Sequence, residues 1–336
     1  MKMKKWMTLG AICLTAVMVL SGCGSSDSGE VATAEAAETP AAEVTEETTE
    51  TFKIGVTQIV EHPALDGARE GFKAGLAEAG IENVEFVEEN AQGDMATAQM
   101  IAQGFVDSKV DMIYAIATPT AQAAYNATKD IPIMISAVTD PVAAGLAESM
   151  EASNTNVSGT SDEAPVNLQL ELLTDLGLTP KTIGFIYNTS EKNSEVQLEV
   201  VTKEAEKLGW TVEPLGITSL TEMEQGLDVL LDKVDVLYAP TDNMVASAIQ
   251  LVSSKAIAKG VPVLGAEPAL VEGGALATCG VDYFELGRQT GLMAAEVLEG
   301  QDVSTLPLQK ALNPEIVVNE ETAKALNIDV SGIGVN

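Results

Sequence analysis

Apolar and polar residues alternate in a regular order along residues 52–336. Short apolar runs with many β-branched residues, such as Phe52–Thr57 (FKIGVT) and Asp111–Ile116 (DMIYAI), predict buried strands. Longer segments between them carry apolar residues three or four positions apart, as in Asp66–Ala79, which is followed by Gly80 and is typical of an amphipathic helix. Because strands that alternate with helices indicate a parallel sheet covered by helices on both faces, this region predicts an α/β fold.

The predicted elements occur in two similar series. The first series has strands at Phe52–Thr57, Val84–Glu88, Asp111–Ile116 and Ile133–Ala137, and helices at Asp66–Ala79, Met95–Ser108 and Thr120–Thr128. The second has strands at Thr182–Tyr187, Thr211–Pro214, Val234–Ala239 and Val261–Gly265, and helices at Val166–Leu176, Ser194–Leu208, Glu222–Asp232 and Asn243–Lys259. The segments TFKIGV and KTIGFI correspond, as do VDMIYAIATPT and VDVLYAPTDN, and DIPIMIS and GVPVLGA. This duplication predicts two similar α/β lobes.

The first 51 residues have a different pattern. Met1–Trp6 carries three lysines and no acid, and Met7–Leu20 is almost wholly apolar. A basic start followed by a short apolar run predicts a secretory signal peptide over residues 1–22. The apolar run is too short for a permanent membrane-spanning helix.

Cys23 stands where the apolar run ends. The segment LSGC, Leu20–Cys23, resembles the lipobox of bacterial lipoproteins, which implies acylation of Cys23; the alternative is a chance cysteine. Ser25–Thr51 has no aromatic and no basic residue, so residues 23–51 are expected to form a lipid-anchored, disordered acidic linker. An acidic tail that binds a partner is the alternative for this segment.

Composition narrows the chemistry of the chain. The formal net charge of −32 argues against binding to nucleic acid, which needs lysine and arginine against phosphates. His62 is the only histidine, and the sequence has no CxxC, HExxH or GxSxG motif, so no metal site or hydrolase nucleophile is predicted. With Cys13 in the signal peptide and Cys23 acylated, Cys279 is left without a disulfide partner. No cofactor is expected.

Two matching loops point to a ligand site. Thr118–Thr120 and Thr241–Asn243 each follow a predicted strand and open a predicted helix. In open parallel sheets ligands bind beyond the carboxyl ends of the strands, where helix N-terminal N–H groups suit a carboxylate or phosphate. Two lobes with such loops facing each other predict a cleft.

Seven segments resemble one family of proteins. They are VTQIVEHPALDGAREGF (Val56–Phe72), ATPT (Ala117–Thr120), SAVTDP (Ser136–Pro141), SGTSD (Ser158–Asp162), YNTSEKNS (Tyr187–Ser194), PTDN (Pro240–Asn243) and GVDYFELGRQTG (Gly280–Gly291). Together they resemble the ABC-transporter substrate-binding proteins of the tryptophan/tyrosine-binding type. The resemblance extends over residues 52–330.

This resemblance implies a type I periplasmic-binding-protein fold, with two Rossmann-like lobes and parallel sheets joined by a three-strand hinge. The N-terminal lobe is expected to comprise residues 52–161 and 282–310, and the C-terminal lobe residues 162–281 and 311–336. The crossings are expected near Thr160–Ala164, Thr278–Asp282 and Gln309–Asn313.

Candidate ligand-binding residues lie near the strand ends and the expected hinge. They are Gln58, Ile59, Pro63, Thr118, Pro119, Thr120, Ser136, Thr160, Ser161, Asp162, Tyr187, Asn188, Thr241, Asp242, Asn243, Glu267, Asp282 and Tyr283. Thr118–Thr120 and Ser136 are expected to bind a carboxylate. Asp162 or Asp242 is favoured as the partner of an ammonium group, with Glu267 and Asp282 next. Tyr187 is the candidate to contact an aromatic ring, and helix capping or core packing is the alternative for each residue.

The function that follows is a lipid-anchored, extracytoplasmic receptor that hands a small amphiphilic solute to an ABC permease and its ATPase. The cargo favoured by the resemblance is an aromatic amino acid, and a nucleoside is the alternative. A sensory receptor of the same fold stays open, whereas an enzyme is disfavoured. The protein is expected to be a monomer.

Overall fold

The computed structural model describes residues 51–333. The predicted signal peptide, Cys23 and the linker up to residue 50 lie outside the described residues. Within residues 51–333, none of the helices is both long and apolar enough to cross a membrane.

Twelve strands and eleven α-helices alternate along the described residues. The strands are β1 Phe52–Gln58, β2 Val84–Asn90, β3 Met112–Ile116, β4 Ile133–Ser136, β5 Val157–Ser161, β6 Thr182–Asn188, β7 Thr211–Ile217, β8 Val236–Ala239, β9 Val263–Gly265, β10 Ala277–Gly280, β11 Gln309–Lys310 and β12 Glu315–Val318. The helices are α1 Pro63–Glu78, α2 Met95–Asp107, α3 Thr118–Ala127, α4 Val166–Asp175, α5 Lys192–Lys207, α6 Leu220–Leu231, α7 Asn243–Ser247, α8 Ile249–Lys259, α9 Pro268–Glu272, α10 Tyr283–Leu298 and α11 Glu320–Leu326.

The strands form two six-stranded sheets with matching topology. The first sheet has the order β11-β5-β4-β3-β1-β2 and the second the order β12-β10-β9-β8-β6-β7. Every pairing is parallel except that of β10 with β12. We call the part of the protein built on each sheet the first and the second lobe. The predicted α/β fold with two similar lobes is confirmed.

The chain passes between the two sheets three times. The passages lie at residues 162–165 after β5, at 281–282 after β10 and at 311–314 after β11. Helix α10 therefore packs on the first lobe against α1, although it follows a strand of the second. The three passages bring together side chains from both lobes near Asp162 and Tyr283.

One aspartate in each lobe has the same structural role. Asp111 accepts a hydrogen bond from the backbone N–H of Lys53 at 2.7 Å, and Asp235 accepts one from that of Lys181 at 2.7 Å. Each aspartate thereby joins the start of a central strand to the strand beside it. The repeated VD dipeptide in the sequence reflects this shared contact.

Close packing of α1 on α10 fixes the start of α10, where Tyr283 lies. A Cβ atom on Gly71 would come within 1.9 Å of the carbonyl oxygen of Phe284, and one on Gly287 within 1.9 Å of that of Ala68. The two helix backbones can approach this closely only because these positions lack side chains.

The structure differs from the predicted elements in two respects. The helix predicted over Asn243–Lys259 is two helices, because Ala248, with φ −113° and ψ 15°, interrupts it. Strands β5 and β10 were not predicted as strands, since their sequences VSGTS and ATCG are small and polar rather than apolar.

Candidate ligand-binding cleft

The carboxyl ends of both sheets border a cavity between the lobes. Its free space is about 20 Å³, room for about one water molecule, so an organic ligand enters only when side chains shift or the lobes move apart. The residues around it are His62, Ala64, Leu65, Ala137, Asp162, Thr241, Asp242, Asn243, Ala246, Glu267 and Tyr283. They come from both lobes and from the hinge, and none is a lysine or arginine.

Two hydrogen bonds join the lobes across this cavity. His62 Nε2 lies 3.4 Å from Asn243 Oδ1, and the hydroxyls of Thr139 and Thr241 are 3.2 Å apart. His62 and Thr139 belong to the first lobe, and their partners belong to the second. The lobes are therefore in contact beside the cavity.

Two buried carboxylates in the cavity each have one oxygen without a partner. Tyr283 donates its hydroxyl to Asp162 Oδ2 at 2.5 Å, and the N–H of Ala269 donates to Glu267 Oε2 at 2.6 Å. Asp162 Oδ1 and Glu267 Oε1 have no hydrogen-bond partner among the described residues, and each residue is only 3% exposed. Buried polar atoms without partners are rare and costly in folded proteins, and these two belong to residues that border the same cavity.

Burial controls the ionisation of both acids. Removal from water raises the pKa of Asp162, because burial disfavours the charged form. The same effect raises the pKa of Glu267 to about 8, and the charge of Asp162 contributes to the increase. A cation between the two carboxylates would reverse this effect, because an opposite charge stabilises the ionised form.

Asp242, which the sequence favoured equally with Asp162, has a structural role. Its Oδ2 accepts hydrogen bonds from the N–H of Asn188 at 2.6 Å and the hydroxyl of Ser194 at 2.7 Å. Its Oδ1 accepts from the N–H of Val245 at 3.0 Å and caps α7. Both oxygens are thus occupied, so Asp162 is the one of the two with an oxygen free for a ligand.

Glu191 is a fourth buried acid of this region, and it holds Asn243 in place. Its Oε2 accepts hydrogen bonds from the backbone N–H of Asn243 at 3.1 Å and from the side-chain Nδ2 at 2.5 Å. Burial, followed by the charge of Asp242, raises the pKa of Glu191 to about 8. Glu191 is not among the residues predicted to bind the ligand.

The ends of β3 and β4 combine backbone strain with an unpartnered hydroxyl. Ala117 has φ 83° and Ala137 has φ 57°, both in the left-handed region that non-glycine residues rarely adopt. Thr118 is 1% exposed, and its Oγ1 has no partner among the described residues. Thr120 instead donates its hydroxyl to the carbonyl of Ile116 at 2.6 Å, so its Oγ1 is already engaged. Backbone strain at the ends of β3 and β4 is typical of ligand-binding sites.

Two hydroxyls predicted for the cleft lie in the core of the first lobe instead. Ser136 Oγ is 2.7 Å from Thr290 Oγ1, and Thr160 Oγ1 is 2.8 Å from the same atom. Helix α10 supplies Thr290 and covers both residues. A carboxylate-binding role for Ser136 therefore has no support in this arrangement.

Three further candidates also point away from the cavity. The Gln58 amide bonds to the Val60 carbonyl, Asp66 and Arg69. The Tyr187 ring packs beside β7 against Phe185, with 5.9 Å between ring centroids. Asp282 is exposed and caps α10 by accepting from the N–H groups of Phe284 and Glu285.

The remaining candidates border neighbouring openings between the lobes. Ile59, Pro119 and Asn188 line a pocket of about 440 Å³ at the mouth of the cleft. Pro63 lines a groove beside it, and Ser161 lines a pocket on the hinge side, where its hydroxyl donates to the carbonyl of Thr139. The sequence did not single out Leu65, Ala137 or Ala246 as cavity residues, because small apolar side chains carry no functional signal.

Residues 51–333 contain no group of three or more histidine, cysteine, aspartate or glutamate side chains placed to hold a metal ion.

Comparison with known proteins gives consistent matches along the described residues. A family model described as "ABC transporter substrate binding protein" matches residues 53–332. The "Tyrosine-binding protein" of Clostridioides difficile is 44% identical over 330 residues, which cover 97% of this chain and 93% of that protein.

Two solved structures show how the lobes are arranged. A complex of an ABC domain with L-Trp from Streptococcus pneumonia is 36% identical, with a TM-score of 0.81, over 84% of this chain and 96% of that one. The ligand-free, open structure of a substrate-binding protein with adhesive properties from Clostridium difficile is 49% identical, over 85% and 98% of the two chains. Its TM-score is lower, at 0.67, despite its higher identity. The structure as a whole therefore superposes better on the complex than on the open structure.

Proposed function

The chain belongs to the ABC transporter substrate-binding protein family, and we propose that its ligand is an aromatic amino acid bound in the cavity between the lobes. As in other members of the family, the ligand would then pass to an ABC permease and its ATPase. The names of a tyrosine-binding relative and of a structure containing L-Trp support an aromatic ligand.

The observation that carries this proposal is the pair of unpartnered carboxylate oxygens. An α-ammonium group has three N–H donors and one positive charge. Placed between Asp162 Oδ1 and Glu267 Oε1, it would supply the missing partner of each oxygen. Such charge-assisted hydrogen bonds are about twice as strong as neutral ones, and Tyr283 would hold Asp162 in position from its other side.

The other parts of the ligand have matching surroundings. The first turn of α3, whose Pro119 lines the neighbouring pocket rather than the cavity itself, offers donors for an α-carboxylate that extends toward that pocket, because helix N-termini carry N–H groups without helical partners. Leu65, Ala137 and Ala246 offer an apolar wall for an aromatic ring. Thr241 and Asn243 complete the proposed site from the second lobe.

Lobe closure is the proposed mechanism. The hinge passages leave the two sheets free to move as rigid bodies, which is the usual hinge motion around a ligand. The hydrogen bonds of His62 to Asn243 and of Thr139 to Thr241 would form on closure. No bond of the ligand is made or broken, so we propose a binding protein rather than an enzyme.

We also propose that the protein is an extracytoplasmic monomer anchored by lipid at Cys23. The support is the sequence pattern of residues 1–23, which resembles that of bacterial lipoproteins. More than one acyl chain on Cys23 would make the anchoring stable. The full chain is expected to partition into the detergent phase of Triton X-114, and the Cys23→Ser variant into the aqueous phase. Equal partition of the two proteins would refute the anchor.

A thermal-shift screen tests the ligand class. Residues 49–336, which include all of the described residues, serve as the sample, with the common amino acids and nucleosides as ligands. A ligand at a hundred times its Kd adds about 2.7 kcal/mol of stability, which raises the midpoint measurably. We expect an increase with aromatic amino acids alone. An increase of the unfolding midpoint with a nucleoside would contradict the proposed ligand. So would the absence of any increase with all of the amino acids.

A further inference from the structure

His62 projects a side chain into the cavity from the first lobe. It is the residue just before α1, and its side chain makes no capping hydrogen bond to that helix. The residue is 8% exposed and borders the same cavity as Asp162 and Glu267. The imidazole is therefore a buried polar group with two nitrogens to satisfy.

The contacts around Asn243 determine which nitrogen of His62 carries the proton. Asn243 Nδ2 donates to Glu191 Oε2 at 2.5 Å, so the amide oxygen of Asn243 is the atom that faces His62. An amide oxygen only accepts hydrogen bonds. His62 Nε2 must therefore be the donor, as an N–H group.

This assignment leaves Nδ1 as an acceptor. Burial lowers the pKa of His62, so the ring is neutral at pH 7 and Nδ1 carries a lone pair. Nδ1 is buried and has no hydrogen-bond partner among the described residues. The cavity thus contains a neutral acceptor in addition to the two carboxylates.

We propose that His62 Nδ1 accepts a hydrogen bond from a neutral donor on the ligand's aromatic ring, either the hydroxyl of tyrosine or the indole N–H of tryptophan. His62 would then select these amino acids over phenylalanine, which has no such donor. This inference rests on the proposed function and names the selective residue of the same site.

The charge of each acceptor determines which group of the ligand it binds best. The ligand's ammonium group is best stabilised by ionised acceptors, which Asp162 and Glu267 provide. A neutral imidazole stabilises a cation less than a carboxylate does, whereas it accepts a hydrogen bond from a neutral O–H or N–H donor without burying a charge. Phenylalanine in the same position would leave Nδ1 buried without a partner.

The cost of an unpaired buried acceptor sets the size of the effect. It corresponds to a loss of about 10- to 100-fold in affinity. We therefore expect L-phenylalanine to bind at least about 10-fold more weakly than L-tyrosine or L-tryptophan.

Two variants distinguish the contribution of His62 Nε2 from that of Nδ1. In His62→Gln the longer side chain places its amide near the position of Nε2, so the contact with Asn243 is kept and the acceptor at Nδ1 is lost. In His62→Asn the shorter side chain places its amide near the position of Nδ1, so an acceptor stays in the cavity and the contact with Asn243 is lost. Thermal unfolding of each variant without ligand checks that it is folded.

The experiment is calorimetric titration of residues 49–336, wild type and both variants, with L-tyrosine, L-tryptophan and L-phenylalanine. The readout is the affinity ratio of tyrosine or tryptophan to phenylalanine within each protein, because general effects on stability or closure cancel in a ratio. We expect a ratio of at least about 10 for the wild type and His62→Asn, and a ratio near 1 for His62→Gln.

Equal affinity of the wild type for all three amino acids would overturn the role of His62 and leave the proposed function intact. An unchanged ratio in His62→Gln would overturn it in the same way. Binding of none of the three would overturn the proposed function itself.

Discussion

Replacing Glu267 by glutamine is expected to stabilise the ligand-free protein, and only at neutral to alkaline pH. Glu267 is 3% exposed, and one of its oxygens has no partner among the described residues. Burial raises its pKa to about 8, whereas the ordinary value is 4.5. The carboxyl group therefore holds a proton in the folded protein at pH values where the unfolded chain has released it.

The sign and the size follow from proton linkage. Between pH 4.5 and 8 the folded state binds more protons than the unfolded state, so the free energy of unfolding falls as pH rises. The fall is at most about 1.4 kcal/mol per pH unit, which gives a ceiling of about 5 kcal/mol at pH 8. Glutamine never ionises, but its amide NH₂ would lie unpaired in the cavity at a cost of about 1–3 kcal/mol. At pH 8 the free energy of unfolding of Glu267→Gln should therefore exceed that of the wild type by about 2–4 kcal/mol.

The assay is urea unfolding of ligand-free wild type and Glu267→Gln, followed by circular dichroism from pH 4.5 to 8.5. Glu222→Gln is the control with the opposite sign, because hydrogen bonds from Thr218 lower the pKa of the exposed Glu222. That variant should lose stability near neutral pH and approach the wild type as pH falls. Parallel pH curves for wild type and Glu267→Gln would refute the proposed burial of an unpaired carboxylate.

Three further changes test the site and its framework. Asp162→Asn should weaken binding of L-tyrosine by about 10- to 100-fold in a calorimetric titration, because it removes a charge-assisted hydrogen bond. The control Asp282→Asn, at an exposed helix cap, should change the affinity less than about twofold. Equal losses of affinity in the two variants would contradict the proposed role of Asp162. Gly71→Ala should lower the free energy of unfolding by about 1–3 kcal/mol or more, because its Cβ would lie 1.9 Å from the Phe284 carbonyl oxygen. The control Gly104→Ala, in open space on α2, should raise the free energy of unfolding by about 0.5–1 kcal/mol in the same urea experiment. A change of the same sign in both variants would be evidence against the α1–α10 contact.

The alternation of strands and helices could be predicted from the sequence because most strands of both sheets are buried and apolar. Strands β5 and β10 could not, since VSGTS and ATCG carry no apolar pattern. They pair as strands because the neighbouring strands β4 and β9 hold them, which is a contact between distant parts of the chain.

The site was only partly predictable for the same reason. The sequence placed Asp162, Asp242 and Glu267 near the cleft, but it could not distinguish a free carboxylate from an engaged one. That distinction depends on the N–H of Asn188, which lies 54 residues from Asp242. The orientation of His62 likewise depends on Asn243, 181 residues away in the other lobe.

The most direct test of the proposed site compares L-tyrosine with 3-(4-hydroxyphenyl)propionic acid, which lacks only the α-amino group. Both are titrated calorimetrically into residues 49–336 at pH 7. Because Asp162 and Glu267 are proposed to hold the ammonium group, L-tyrosine should bind and the analogue should bind at least about 100-fold more weakly. Equal affinity for the two compounds, or no binding of L-tyrosine, would contradict the proposal that these two carboxylates recognise an aromatic amino acid.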